Sequence, residues 1–204
     1  MKAKSFLKNM ICAGSLCLLA VFGAAACKSG DSSPSSSANP KVLVEMENGD
    51  SFTIELYPEY APVTVDNFVK LVKGGFYDGM VFHRIVDGFM AQGGGYDIEG
   101  NKKEAETIPG EFAKNGYAKN TLKHTKGVIS MARIGGQNDS ASSEFFIMLA
   151  SSPGLDGDYA AFGKVIEGME IVEKFQEIER VLGFLGEISQ PVEPVVIKKM
   201  TVVE

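Results

Sequence analysis

From Val42 onward the apolar residues fall into two rhythms. In SFTIELY (51–57), Phe52, Ile54 and Leu56 alternate with polar positions, the period-2 pattern of a half-buried strand. VLVEM (42–46) precedes it, and the ENGD between them (47–50) reads as a turn, so the pair predicts strand, turn, strand. APVTVDNFVKLVKGG (61–75) changes period. Val65, Phe68, Val69 and Val72 fall at i, i+3, i+4 and i+7, on one helical face. Pro62 suits the first turn and Gly74 the stop. A second helix is predicted from Met169 to Val181, where Ile171, Phe175 and Ile178 share a face with Leu182 just beyond. Between the helices lie the short apolar runs VFHRIV, FMAQGG, GVISMA, FFIMLA and AAFGKV, and VVIKKMTVV follows near the end. Many short strands with two helices predict a mainly antiparallel sheet, closed or sandwiched. The segment from Gly93 to Lys126 is long, polar and without a clear period. Loops of that length carry function or are disordered.

The first 40 residues follow neither rhythm. Lys2, Lys4 and Lys8 give a basic start, and Met10 to Ala26 is apolar, small and uncharged. This is the layout of a secretory signal. The run is shorter than the ~20 residues a spanning helix needs. It ends in AAAC, with Cys27 in the place where a bacterial lipoprotein signal has its lipid-bearing cysteine; Ala24 stands where that signal usually has leucine. The expectation is a signal over 1–26 and a lipidated Cys27, with export and anchoring to a membrane facing the cell exterior or periplasm. The other reading is an ordinary signal cut nearby, leaving a free thiol. Residues 28–40, KSGDSSPSSSANP, cannot bury enough apolar surface to order, and form a flexible tether. Thirteen such residues span roughly 20 Å. The folded domain is expected over 41–204.

Composition narrows the function. All three cysteines, Cys12, Cys17 and Cys27, belong to the leader or its edge, so the domain has no internal disulfide. It must be stable through its core alone, and about 160 residues suffice for one ordinary domain. The formal charge of −6 becomes −9 once the three leader lysines are gone. Such an acidic domain is a poor nucleic-acid binder. His83 and His124 have no ligand-like spacing, so no metal site is expected.

Arg84 is the odd residue in this pattern, sitting in the apolar run VFHRIVDGFM. Strict alternation would put Phe82, Arg84 and Val86 on one face of a strand, with Val81, His83 and Ile85 on the other. Phe89, Met90, Phe145 and Phe146 would then build an apolar surface around one permanently charged donor. A snorkelling arginine at a sheet end, or a structural ion pair, fits the same residues.

The wider pattern separates these readings. FHRIVDGFMAQGG (82–94), GVISMAR (127–133), SASSEFFIML (140–149) and LDGDYAAFGKV (155–165), in this order, resemble the cyclophilin family of peptidyl-prolyl cis/trans isomerases. TIPGEF (107–112), LKHTKGVISMAR (122–133) and EPVVIKKM (193–200) are similar to its bacterial branch. The resemblance runs from about Val42 to Val203. It implies a closed eight-stranded antiparallel β-barrel capped by two α-helices, with an active groove on the outer face. Arg84 matches the catalytic arginine. Phe82, Phe89, Met90, Gln92, Ala132, Phe146 and Leu155 match groove residues, with Phe89, Met90, Phe146 and Leu155 lining a proline pocket. His83 is given a structural role.

Four positions depart from the commonest family pattern. Arg133 replaces Asn and Tyr159 replaces His, both at the groove. Gly154 replaces a tryptophan, which puts cyclosporin binding in doubt. Glu144 replaces Gln, and a carboxylate there could pair with Arg84. The implied substrates are proline-containing polypeptides, acted on by a monomer. No cofactor is implied, because rotation about an amide breaks no bond. The membrane would be met only through the lipid anchor. A barrel that binds proline-containing segments without turnover, or that serves only as a surface scaffold, remains the alternative.

Overall fold

The computed structural model describes residues 38–203. The expected leader, Cys27 and all but the last three residues of the expected tether fall within residues 1–37, outside the described residues. Ten strands and two helices follow in the order β1 (Lys41–Met46), β2 (Ser51–Leu56), α1 (Pro62–Lys73), β3 (Met80–Val86), β4 (Met90–Asp97), β5 (Val128–Met131), β6 (Phe145–Met148), β7 (Ala161–Glu167), α2 (Met169–Lys174), β8 (Arg180–Leu182), β9 (Ile188–Pro191) and β10 (Ile197–Val203). Eight strands form one antiparallel sheet in the order β10-β1-β2-β7-β5-β6-β4-β3, and β8 and β9 form a separate pair.

The sheet curls into an open half-barrel rather than the closed barrel expected. Its edge strands β10 and β3 share no continuous ladder. Between the two edges there is only an isolated bridge from Val81 to Val196, flanked by backbone hydrogen bonds from Gly79 to Ile197 and from Phe82 to Val195. The helical stretch after Met169 also differs from expectation. α2 stops at Lys174, a single 3-10 turn takes Phe175–Glu177, and the chain then extends into β8. Ile178, Val181 and Leu182 keep a helix-compatible spacing, but only Ile178 packs against the main core. Val181 and Leu182 stand in solvent on a hairpin instead.

Alternation gives the sheet two working faces. Inward residues such as Val44, Ile54, Phe145, Ile147 and Phe162 join Phe68 of α1 in the main core. A smaller second cluster lies on the other face, built from Met90, Val128, Phe146, Met148 and Ala161. Phe145 and Phe146 are adjacent in sequence and belong to different clusters.

The long segment after β4 is ordered. Ile108 bridges to Ala141. Buried Glu111 reaches back to the start of α1, where Ala61 offers no capping side chain. Its carboxylate accepts from Val63 N at 3.1 Å, Thr64 N at 2.7 Å and Thr64 Oγ1 at 2.7 Å. These are donors that a helix N-terminus leaves unpaired, and a negative charge there also complements the helix dipole. Asn120 then ties the segment to β7 through Ala161 O at 2.9 Å.

Candidate active site

The site stands on β3, β4 and β6, and its first feature is a break in alternation. Phe82 pairs with Gly93 and Arg84 with Gln92, so His83 is an extra residue in β3. This bulge flips the parity of everything after it. Phe82 turns into the main core, against Phe145 and Phe175, with ring centroids 5.8 and 5.0 Å away. Arg84 emerges on the outer face, and Ile85 returns to the core. Phe82 and Arg84 therefore do not share a side, and Phe82 packs in the core rather than on the groove floor.

Arg84 is held at two of its three nitrogens. Nη1 donates to Gln92 Oε1 at 3.2 Å and approaches Met90 Sδ at 3.7 Å. Direct pairing of residues 84 and 92 across the ladder produces the first of these contacts. Nε donates to Glu187 Oε1 at 2.5 Å, from the turn between β8 and β9. Nη2 has no hydrogen-bond partner among the described residues. The side chain is one-fifth exposed and lines an open cavity together with Gln92 and Glu144.

Glu144 does not pair with Arg84. It accepts instead from Gln92 Nε2 at 2.9 Å and lies 3.8 Å from His83 Nε2. Gly95 makes room for it, since a Cβ at that position would sit 2.6 Å from the Glu144 side chain. Gln92 is thus clamped between a cation and a carboxylate, which fixes its amide orientation. The carboxylate that does reach Arg84, Glu187, lies 103 residues away in sequence. No local pattern marked it.

Beside Arg84 runs the apolar floor. Phe89, Ala132, Leu155 and Tyr159 pack against the second cluster that contains Met90 and Phe146. The Tyr159 ring meets Phe146 edge-on at 5.7 Å. Arg133 closes that end, with its guanidinium 4.8 Å over the Tyr159 ring and Nε donating to Asp158 O at 3.0 Å. Gly154 lies in the 3-10 turn beside Leu155 with open space around it.

Beneath the floor sits His124, to which the local sequence pattern assigns no role. It is buried, with Nδ1 3.1 Å from Asp156 and Nε2 3.1 Å from Ser130. Its ring stacks at 6.1 Å on Phe146. Burial pushes its pKa below the ordinary histidine value, and Asp156 offsets only part of that. Burial likewise lowers the pKa of His83, opposed by Glu144 and reinforced by Arg84. Both rings therefore favour the neutral form at pH 7, and the positive charges around the site come from Arg84, Arg133 and Lys102, whose Nζ lies 4.0 Å from Glu144 Oε1.

The site thus joins Arg84, Met90, Gln92 and Phe146 with Phe89, Ala132, Leu155 and Tyr159, flanked by Arg133 and Glu144. A model of one protein family, described as cyclophilin type peptidyl-prolyl cis-trans isomerase/CLD, matches residues 41–202. A peptidyl-prolyl cis-trans isomerase of Acinetobacter baylyi is 43% identical over 150 residues, covering 71% of this chain and 77% of the relative. Peptidyl-prolyl cis-trans isomerase B of Bacillus subtilis is 41% identical over 128 residues, covering 63% and 85%. Among solved structures, a cyclophilin type peptidyl-prolyl cis-trans isomerase of Cryptosporidium parvum, crystallised in the presence of the dipeptide Ala-Pro, superposes with a TM-score of 0.65. It is 26% identical, and the match covers 80% of this chain and 99% of that one. The chain belongs to the cyclophilin-type peptidyl-prolyl cis-trans isomerases.

Proposed function

We propose that this cyclophilin catalyses cis/trans rotation about X–Pro bonds with Arg84 as its catalytic residue. Its substrates are exported polypeptides, and it works as a monomer anchored through a lipidated Cys27. The observation that carries the reading is the free Nη2 edge of Arg84, braced at Nε and Nη1 beside an apolar floor of Met90 and Phe146.

The amide barrier is ~18–20 kcal/mol because the nitrogen shares its lone pair with the carbonyl. Uncatalysed X–Pro isomerisation takes tens to hundreds of seconds. Halfway through rotation the lone pair returns to the prolyl nitrogen. A guanidinium N–H aimed at that nitrogen binds the twisted state better than either planar one, and only such differential binding accelerates the step. The proline ring lies on the apolar floor formed by Phe89, Met90, Phe146 and Leu155. Gln92 holds the flanking backbone, so one side of the bond can turn. Water excluded from the floor strengthens the field of Arg84. No bond breaks and no proton moves, so the chemistry requires no cofactor or metal.

The test uses the domain from residue 38 onward and NMR exchange between the cis and trans signals of an Ala-Pro peptide. Exchange faster than the uncatalysed rate at catalytic protein concentration is expected. Peptide binding without faster exchange would instead make the domain a proline-segment binder. The anchor has a separate readout. Mass spectrometry of the mature amino terminus should find acylated Cys27, and Cys27→Ala should release the protein from the membrane fraction. Retention of that variant on the membrane would refute the anchor.

A further inference from the structure

The β8–β9 hairpin packs its β9 strand against β3 and turns an apolar face to solvent. It forms no ladder with the eight-stranded sheet. Phe184 is fully exposed, and Leu182, Leu185 and Ile188 are each more than three-fifths exposed. Val181 and Val192 extend the patch, which puts six large apolar side chains in solvent within twelve residues. Apolar residues scattered singly over a surface are ordinary, but a concentration on one projecting element marks an interaction site.

What lies under the arm indicates the kind of partner. Between the hairpin and the turn after β4 is a cavity of about 490 Å³. Phe184, Leu185 and Pro191 form its hairpin wall, and Val81, Tyr96 and Ile98 stand opposite. Arg84 and Gln92 line it as well, so the cavity and the catalytic groove share these two side chains. The Glu187–Arg84 ion pair fastens the turn of the hairpin at this junction. A polypeptide whose proline occupies the groove would continue past Arg84 toward this cavity. In an extended chain the side chains alternate every ~3.3 Å along the backbone, so a residue near the proline can drop into the space.

We propose that the hairpin and its cavity form a docking site for an apolar side chain of the substrate polypeptide, flanking the proline. The proposal rests on the isomerase reading and deepens it: it selects clients whose prolines lie in apolar, unfolded segments. A lipid surface is the competing occupant for an apolar arm. Glu187 at the hairpin turn, Asp97 and Glu144 in the cavity lining and the chain's negative net charge all disfavour an anionic bilayer.

The test compares the wild-type domain with Phe184→Ser/Leu185→Ser. Both side chains are largely solvent-exposed, and thermal unfolding confirms that the variant folds. Two peptides serve as probes. One is Ala-Ala-Pro-Ala, and the other extends it with Phe and Leu two to four residues from the proline on either side. Wild type is expected to show KM about tenfold lower for the extended peptide, the scale of one partly buried apolar side chain. The double variant is expected to lose that preference while its kcat/KM on the short peptide is unchanged. Equal preference in the two proteins, or an equal loss on both peptides, overturns the docking site. Fluorescence anisotropy of labelled peptides is read in parallel. Hairpin-dependent binding without faster exchange on any peptide keeps the docking site and sinks the isomerase reading. Sedimentation with phosphatidylcholine/phosphatidylglycerol vesicles that the double variant abolishes would assign the arm to a membrane and overturn the proposal.

Discussion

Arg84→Ala is expected to lower kcat/KM on an Ala-Pro peptide by about 100- to 1,000-fold, while the domain stays folded. The magnitude follows from what one fixed donor contributes where charge develops in a water-poor site, about 3–4 kcal/mol. Most of the loss should fall on kcat, because the donor's target, the lone pair on the prolyl nitrogen, exists only near the twisted state. KM should move little, since the apolar floor that holds the ring is untouched. Arg84→Lys should recover little of the loss. An ammonium lacks the planar fork that allows Nε to stay on Glu187 and Nη1 on Gln92 while Nη2 remains free. Thermal unfolding provides the control, because the arginine is partly exposed and its removal leaves no core cavity. A variant with wild-type kcat/KM would refute the assignment of Arg84. A variant whose KM rises with kcat unchanged would make the arginine a binding group only.

The same geometry shows where local sequence stops being informative. α1 was legible because its period, Pro62 and Gly74 agreed, and the helix runs from Pro62 to Lys73 with Gly74 as its cap. The β1–β2 hairpin was legible for the same reason. The fate of Phe82 was not. Strict alternation holds only where each residue opposes one partner, and the extra His83 resets the count. The β8–β9 hairpin was hidden because Phe175, Ile178 and Leu182 keep a helical spacing, so periodicity could not reveal that the chain leaves the helix after one more turn. Edge closure depends on backbone pairing between β3 and β10, which side-chain patterns do not encode. Glu187 illustrates the hardest case: Glu144 was the evident carboxylate near Arg84 by motif, yet it spends its charge on Gln92, and the ion pair comes from a turn distant in sequence.

Phe145→Ala is expected to destabilise the domain by about 3–5 kcal/mol, the usual cost of emptying a buried phenylalanine site. Phe145 is fully buried, and its ring meets those of Phe68, Tyr77 and Phe82 edge-on at 5.6, 5.6 and 5.8 Å. Each such pair adds about 0.5–1.5 kcal/mol beyond area burial, which places the loss at the upper end of the range. Against a typical total stability of about 5–15 kcal/mol, much of the margin would be lost. The urea midpoint should fall by about 1–3 M. Phe146→Ala, one residue along the same strand, should behave differently. Its ring belongs to the smaller outer cluster and touches His124 and Tyr159. Removing it should raise KM for proline peptides several-fold and cost less stability than Phe145→Ala. The contrast follows from the two-residue period of β6: one step along the strand moves a side chain from the core that holds the fold to the outer floor proposed as the proline's seat. Equal denaturation midpoints for the two variants, or a KM effect confined to Phe145→Ala, would show that these faces have been misassigned.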